Sequence, residues 1–416
     1  MTSYNLKLVP QDLLFLRDAR PMSGADAGLG AQWPRPDQLW SALIHAFLRK
    51  WPDRQEWEGA EHTFHDEKVN GKKPDLHQDS SFRFGALNVM GPFPRKGKTL
   101  FFPCPLDLAA DDSGNLHPMT LVDGSQTNLP SPLKYSLQAP VLGKAQPPRW
   151  ISLEEYEKYL AGESFLPAFK ESDLYSVDRS IGIALDGRTR TTEEGRLYQA
   201  EYLRLAEGVA MAFMTSCEIS PKQHRDLGLV DVWAKLGLPN DVVMGGQQGV
   251  ATIAKLEDGV WSLPSVKEEP KDGRTLVRWT LLSPLISPEG WRPSWIAADG
   301  QVMLKASVER KPGEDRQTWR KRIKEEAGDI RAKLVAARIG KPLCFSGWDM
   351  QTGPKPTVCA VPAGSAFYFE CESQEAAREL WKKLDCTSQP WGARLSSQFG
   401  EKGFGFGVCS LVDDFS

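Results

Sequence analysis

Tyr4, Leu6 and Leu8 alternate with polar neighbours, the period of a half-buried strand, and Pro10-Gln-Asp12 closes that run ahead of the apolar Leu13-Leu-Phe-Leu16. A glycine-bearing loop follows from Ser23 to Trp33. Pro34-Arg-Pro-Asp37 then stops the chain and places Asp37 to cap a helix whose Leu39, Trp40, Leu43, Ile44, Phe47 and Leu48 share one stripe. The polar stretch Glu56–Ser80 reads as an exposed insertion. Beyond it, Phe82–Val89 and Thr99–Pro103 read as two strands joined by the turn-forming segment Gly91-Pro-Phe-Pro-Arg-Lys-Gly97. Strand, helix, strand, strand opens a split βαβ unit, an arrangement that RNA-recognition domains also use.

Asp111–Pro148 is rich in Pro, Gly, Ser and Asn, which predicts a boundary or a long surface excursion and divides the chain into 1–145 and 146–416. A short helix, Ser152–Leu160, comes next. Gly313–Ile339 is strongly charged, with Trp319, Ile323, Ile330 and Leu334 at helical spacing. Its outer face would carry Arg316, Arg320, Lys321, Arg322, Lys324, Arg331, Lys333 and Arg338. Such a stripe suits RNA or an acidic partner, or simply water. The tail predicts a strand at Ala366–Cys371, a helix at Gln374–Leu384 and a last strand at Gly405–Val412.

Composition narrows the function classes. With 41% hydrophobic and 25% charged residues over 416 positions, the chain is that of a globular protein of two or three domains. No apolar run approaches the roughly 20 residues that a membrane-crossing helix needs. The first ten residues alternate rather than forming the apolar centre of a signal peptide, so a cytoplasmic location is expected. A net charge of −3 excludes non-specific coating of nucleic acid and requires any contact to come from local basic patches. The seven cysteines lie singly along the chain, a pattern that predicts buried thiols rather than a zinc site or a redox dithiol.

Catalytic signatures are missing. The six histidines form no helical ligand pair, and neither a phosphate-binding loop nor a serine-nucleophile elbow occurs. The string Gly400-Glu-Lys-Gly-Phe-Gly-Phe-Gly407 precedes a strand rather than a helix, against a dinucleotide-binding turn. No metal or cofactor is therefore expected. His45, beside Ile44 and Phe47, reads either as a partly buried core histidine or as a general acid or base for RNA cleavage.

Several segments in order resemble one protein family. Pro10-Gln-Asp-Leu-Leu-Phe-Leu-Arg-Asp-Ala-Arg-Pro21 with Trp33-Pro-Arg-Pro36, Gly182-Ile-Ala-Leu-Asp186, Thr191-Thr-Glu-Glu-Gly-Arg-Leu-Tyr198 and Glu201-Tyr-Leu-Arg-Leu205 carry the likeness. Gly290-Trp-Arg-Pro293, Ser346-Gly-Trp-Asp349, Pro354-Lys-Pro356 and Pro362-Ala-Gly-Ser365 extend it over nearly the whole chain. They resemble the third subunit of the Cmr module of type III-B CRISPR effectors, within the RAMP superfamily. Gly245-Gly-Gln-Gln-Gly249 departs from that family, whose loop commonly carries an acid and an arginine here.

The resemblance implies an α+β fold of two ferredoxin-like (RRM-like, βαββαβ) domains with long insertions. It implies a non-enzymatic subunit that binds the 5′ tag of crRNA. Its partners would be the large polymerase-like subunit and the backbone RAMP subunit, which it bridges, together with the small subunit of the same complex. The rival reading within related folds is a Cas-six-like endoribonuclease acting through His45, and a third is a scaffold that touches protein alone.

The candidate RNA-binding residues fall in four groups. Arg17 and Arg20 flank Asp18 and could fork onto phosphates, or form a local ion pair. Arg179, Arg188 and Arg190, with the hydroxyls of Thr189, Thr191 and Thr192, border a turn that could meet phosphates or merely water. Lys402, Gly403 and Gly405 belong to a glycine loop whose unshielded amides suit anionic oxygens, with a plain bulge as the alternative. Lys355 sits within Pro354-Lys-Pro356. Trp40 is expected in the core, and Trp348 is open to core or base stacking.

Overall fold

The computed structural model describes residues 2–16, 33–50, 86–125, 127–141, 143–185, 188–189, 191–219, 229–246, 249–257, 259, 261–266, 275–349, 353–354, 356–387, 389–392 and 395–412. It is α+β, with antiparallel pairing in all its named ladders and few helices. Among the described residues no helix is long and apolar enough to cross a membrane.

The first sheet is built from β1 (Tyr4–Pro10), β2 (Asn88–Lys96), β3 (Thr99–Pro103) and β4 (Trp150–Ser152), with α1 (Pro36–Lys50) and α2 (Leu153–Leu160) in the connections. A separate ribbon of β5 (Tyr175–Leu185) and β6 (Thr192–Leu205) follows. Then β7 (Val209–Ser216), the short α3 (Val232–Leu236), β8 (Asp241–Val243) and β9 (Val250–Lys255) return to the sheet, whose order is β8-β9-β1-β7-β2-β3-β4. In β1 the alternation holds: Leu6 and Leu8 are fully buried. β7, central in the sheet, is buried along its whole length and is apolar from Val209 to Met214.

Proline at the first position of α1 has no amide to leave unpaired, and Leu39, Trp40, Leu43, Ile44, Phe47 and Leu48 all turn inward. Asp37 does not cap this helix. It lies in the first turn and holds the Arg35 guanidinium with both oxygens, at 3.0 and 3.2 Å. His45 is on the outer face and exposed, which corrects its expected partial burial.

The second sheet comprises β10 (Leu276–Leu281), β11 (Ala332–Arg338), then, after the small ribbon β12 (Leu343–Phe345) with β13 (Val358–Ala360), β14 (Ala366–Cys371) and β15 (Gly407–Leu411). Its order is β11-β14-β10-β15. Helix α4 (Arg316–Glu326) lies between β10 and β11, and α5 (Gln374–Leu384) between β14 and β15. Ser373 caps α5 by accepting from the Ala376 amide, and Ala377, Leu380 and Leu384 bury its inner stripe. Side chains of this sheet alternate between two cores. Val277, Trp279, Leu334, Phe367 and Phe369 pack with α5, whereas Leu276, Val335 and Tyr368 meet Leu121 and Tyr135. Each such side chain contributes roughly 1.5–3 kcal/mol by leaving water.

Several expected boundaries move. The helix expected over 313–339 is helical only over Arg316–Glu326; Leu334, Lys333 and Arg338 belong to β11. Gly91–Gly97 is not a turn: β2 runs through it, with a register shift against β7 between Ala212 and Met214, and the turn is confined to Gly97 and Lys98. The last strand begins at Gly407 rather than Gly405. Strands on both sides of 145/146 share the first sheet, and the strands of the second sheet begin at Leu276. The Asp111–Pro148 region is an excursion: strands Thr120–Asp123 and Tyr135–Gln138 pair with each other, and the Lys134 amide donates to the Val335 carbonyl of the second sheet.

Candidate RNA interface

A cleft of about 1430 Å³ opens between the two sheets. One side is the entrance to α1, from Trp33 to Pro36, with Gly91–Phe93 of β2. The other is Arg338–Cys344 with Leu282–Pro284, and Ala145–Trp150 closes it. Trp33 is anchored by its indole N–H, which donates to the Pro92 carbonyl at 2.9 Å, and by edge contact with Trp150 at 5.4 Å. Both tryptophans are nearly buried and so form wall rather than free stacking platforms.

Among the described residues, four cations line the cleft, Arg35, Arg149, Arg338 and Lys341, against one carboxylate, Glu171. Glu171 accepts a short hydrogen bond from the Tyr175 hydroxyl, which accepts from the Trp150 indole at 3.4 Å. Arg35 is held rigidly by Asp37 and lies 4.5 Å over the Phe345 ring. Arg149, Arg338 and Lys341 are exposed at the rim. On a chain of net charge −3 this is a local excess of positive charge. Prolines 34, 92, 105, 147 and 342 give the walls flat apolar surface without amide donors.

Arg35 falls inside Trp33-Pro-Arg-Pro36 and Arg338 in the basic stretch expected as a helix, whereas Arg149 and Lys341 belong to none of the four expected RNA-binding groups. Only the long-range packing of four segments brings these cations together. Proline directly beside Arg35, Arg149 and Lys341, as in Pro147-Pro-Arg149 and Gly340-Lys-Pro342, is the sole local signal.

The glycine loop is bonded into the protein itself. Its amides are occupied: Lys402 and Phe404 donate to the Phe399 carbonyl, Gly403 to Gly400, Gly405 to Pro284, and Phe406 to the Ser283 hydroxyl. Close approach does occur, but to the protein's own backbone. A Cβ on Gly403 would lie 2.9 Å from Pro36 Cβ and 3.0 Å from the Val89 carbonyl oxygen. One on Gly405 would collide with the Ser396 amide nitrogen. The loop thus docks the second half of the chain on the start of α1. Lys402, partly exposed, sets its ammonium 4.0 Å from the Phe399 ring and 4.9 Å from Trp40, a core residue.

Arg179 stands 67% exposed on the β5–β6 ribbon, paired across the strands with Glu201 at 3.1 Å. Arg188 is exposed in the turn of that ribbon, beside Thr189, whose hydroxyl lies 2.8 Å from that of Thr191. Neither lines the cleft. Arg17, Arg20, Arg190 and Lys355 lie outside the described residues. The chain just before Arg17 is described: Leu14 exchanges backbone hydrogen bonds with Leu203, and the Gly246 amide donates to Phe15. Gly245 and Gly246 therefore pack against that segment, where a Cβ on Gly245 would meet the Phe15 carbonyl oxygen at 2.6 Å.

The chain is an antiparallel α+β protein with a basic cleft between two sheets, and a family comparison narrows the class. The model described as "CRISPR-associated protein (Cas_Cmr3)" matches residues 6–412, and the chain belongs to that family. It is thereby a subunit of the type III-B Cmr kind. No curated protein matches it. Among solved structures it is similar to a chain of the type III-B Cmr-beta complex bound to cognate target RNA, at 16% identity over 88% of this chain and 86% of that one, TM-score 0.44. A chain of the same complex with target RNA and AMPPnP gives 17% identity over 88% and 86%, TM-score 0.41. A chain of the Csm3-Csm4 subcomplex of the type III-A interference complex gives 11% over 88% and 94%, TM-score 0.37.

Proposed function

We propose that this chain is a non-catalytic, cytoplasmic subunit of a type III-B Cmr effector that holds the 5′ tag of crRNA in the cleft between its sheets. In the same assembly it bridges the large polymerase-like subunit and the backbone RAMP subunit, beside the small subunit. The observation that carries the reading is the convergence of Arg35, Arg149, Arg338 and Lys341 on one proline- and tryptophan-walled cleft of an otherwise acidic chain. Cations at the rim suit phosphates, while proline and aromatic surface suits the faces of unpaired bases, so recognition needs no reacting group. Arg179 and Arg188 on the β5–β6 ribbon, together with Arg17, Arg20, Arg190, Lys355, and Lys402 with its Gly403 and Gly405 loop, would add contacts to the RNA.

Both halves suit a ferredoxin-like reading. Taking β1, β2, β7 and β9 as the four strands of the first unit, and β10, β11, β14 and β15 as those of the second, each has the order 4-1-3-2. In each, the crossover between first and second strands contains a helix.

The test is photo-crosslinking of the assembled complex with a guide RNA carrying a thiouridine in the tag. Crosslinks on the peptides around Arg149 and Arg338–Cys344 are expected. Tag crosslinks confined to other subunits would overturn the assignment.

A further inference from the structure

Five of the seven cysteines follow the expected pattern: Cys104, Cys217, Cys371, Cys386 and Cys409 are buried. Burial pushes their thiols up in pKa, away from the reactive thiolate. Cys344 and Cys359 depart from it. Fifteen residues apart in sequence, they are exposed, directly opposite each other in the antiparallel ladder of β12 and β13, and their sulfurs lie 2.9 Å apart.

Residues directly opposite in an antiparallel pair have Cα atoms about 4.5 or 5.5 Å apart, and both spacings fall in the range that a disulfide spans. No backbone movement is needed to join them. The flanking residues hold the ladder in place: Phe345 is buried against Phe404, Ile286 and Ala360, and carries the Arg35 guanidinium on its ring. Cys344 itself lines the cleft.

We propose that Cys344 and Cys359 form an oxidation-closable clasp, joined by thiol–disulfide exchange with a low-molecular-weight disulfide. One thiolate attacks a sulfur of the small disulfide and expels one small thiolate, leaving a mixed disulfide. The second cysteine thiolate attacks the protein sulfur of that bond and expels the other small thiolate. Two electrons pass from the protein to the small disulfide. The two cysteine protons end on the two small thiols. The new bond closes residues 344–359 into a covalent loop and fixes the strand that forms one wall of the cleft. The hydrogen bond with the Cys359 thiol raises the Cys344 pKa.

The experiment equilibrates the full-length protein, purified under reductant, in glutathione buffers of rising disulfide content with a chelator, and reads intact mass and peptide maps. The expected product lacks two hydrogens, carries no glutathione, and gives one joined peptide holding Cys344 and Cys359. Each single variant, Cys344→Ser and Cys359→Ser, should instead carry one glutathione on the remaining cysteine. Stable glutathione on both wild-type cysteines, no reaction, or a two-hydrogen loss that persists in Cys344→Ser would each overturn the clasp. Because the readout is thiol chemistry, it is independent of whether the cleft holds RNA.

Discussion

Arg278 of β10 and Asp107 of the N-terminal half form a buried ion pair at 3.5 Å, with side-chain exposures of 4% and 0%. The pair sits in a fully connected network. Tyr159 and Tyr368 both donate to the Asp107 carboxylate, and Thr280 donates to the Tyr159 hydroxyl. Arg278 donates further to the Ser410 hydroxyl and the Tyr159 carbonyl, with its guanidinium 3.9 Å over the Tyr159 ring. Residues 107 and 159 come from the first half and 278, 280, 368 and 410 from the second, so one polar network joins the halves behind the cleft.

Removing one partner strands the other in a low-dielectric site. Asp107→Ala should therefore cost about 3–5 kcal/mol of stability, measured by denaturant unfolding. Asp107→Leu combined with Arg278→Met should recover a large part of that loss, because replacing both partners leaves no uncompensated charge. Equal losses for the single and double variants would show that the network matters through packing alone.

Glu314 governs part of the acid response. Hydrogen bonds from the Arg322 guanidinium, and then from the Lys311 amide, hold its carboxyl down at about 2. Its unfolded value is about 4.3, so the folded pKa is depressed. The stability it supplies is fully present above about pH 4.3 and is lost as pH falls toward about 2. Glu314→Gln should thus melt lower than wild type near neutrality, with the gap narrowing between about pH 5 and about pH 3. A gap constant with pH would refute the linkage.

Gly405 has φ +80°, and a side chain there meets the Ser396 amide as well as Ser396 Cβ at 2.8 Å. Gly405→Ala should destabilise the protein by more than about 1 kcal/mol. A sequence-level view of this loop as an exposed ligand cradle expects lost RNA affinity with the fold intact. Melting temperature and RNA binding measured on one preparation separate the two.

For the cleft, Arg149→Ala, Arg338→Ala and Lys341→Ala should each weaken tag binding by about 1–3 kcal/mol. Each should also reduce the slope of log affinity against log salt by about 0.7, one single-strand phosphate. Arg179→Ala, already paired with Glu201, should change the slope less. Fluorescence anisotropy over a salt series reads both quantities, and unchanged slopes for all three cleft variants would contradict phosphate contact.

His45 is exposed on the outer face of α1 and does not line the cleft. Incubated with precursor repeat RNA, wild-type protein and His45→Ala should both leave the RNA intact on a denaturing gel. Wild-type cleavage abolished by the substitution would restore the nuclease reading.

Local pattern by itself determined β1, the stripe of α1, α2 behind its Ser152 cap, and α5 between β14 and β15, because each is written in a period of two or 3.6 with its own stop signals. Motif order along the chain also determined the family. Tertiary structure decided what periodicity cannot carry. The strands beside β1 are β7 and β9, both more than a hundred residues beyond β2, because a pairing register depends on which buried face fits. The same long-range packing ended the basic helix at Glu326, since Leu334 and Val335 are buried on opposite sides of β11. It turned the glycine loop inward onto Pro36, gathered Arg35, Arg149, Arg338 and Lys341 around one cleft, and set Cys344 opposite Cys359. Charges and thiols have no sequence period of their own; their neighbours are chosen by the apolar surfaces that the fold removes from water.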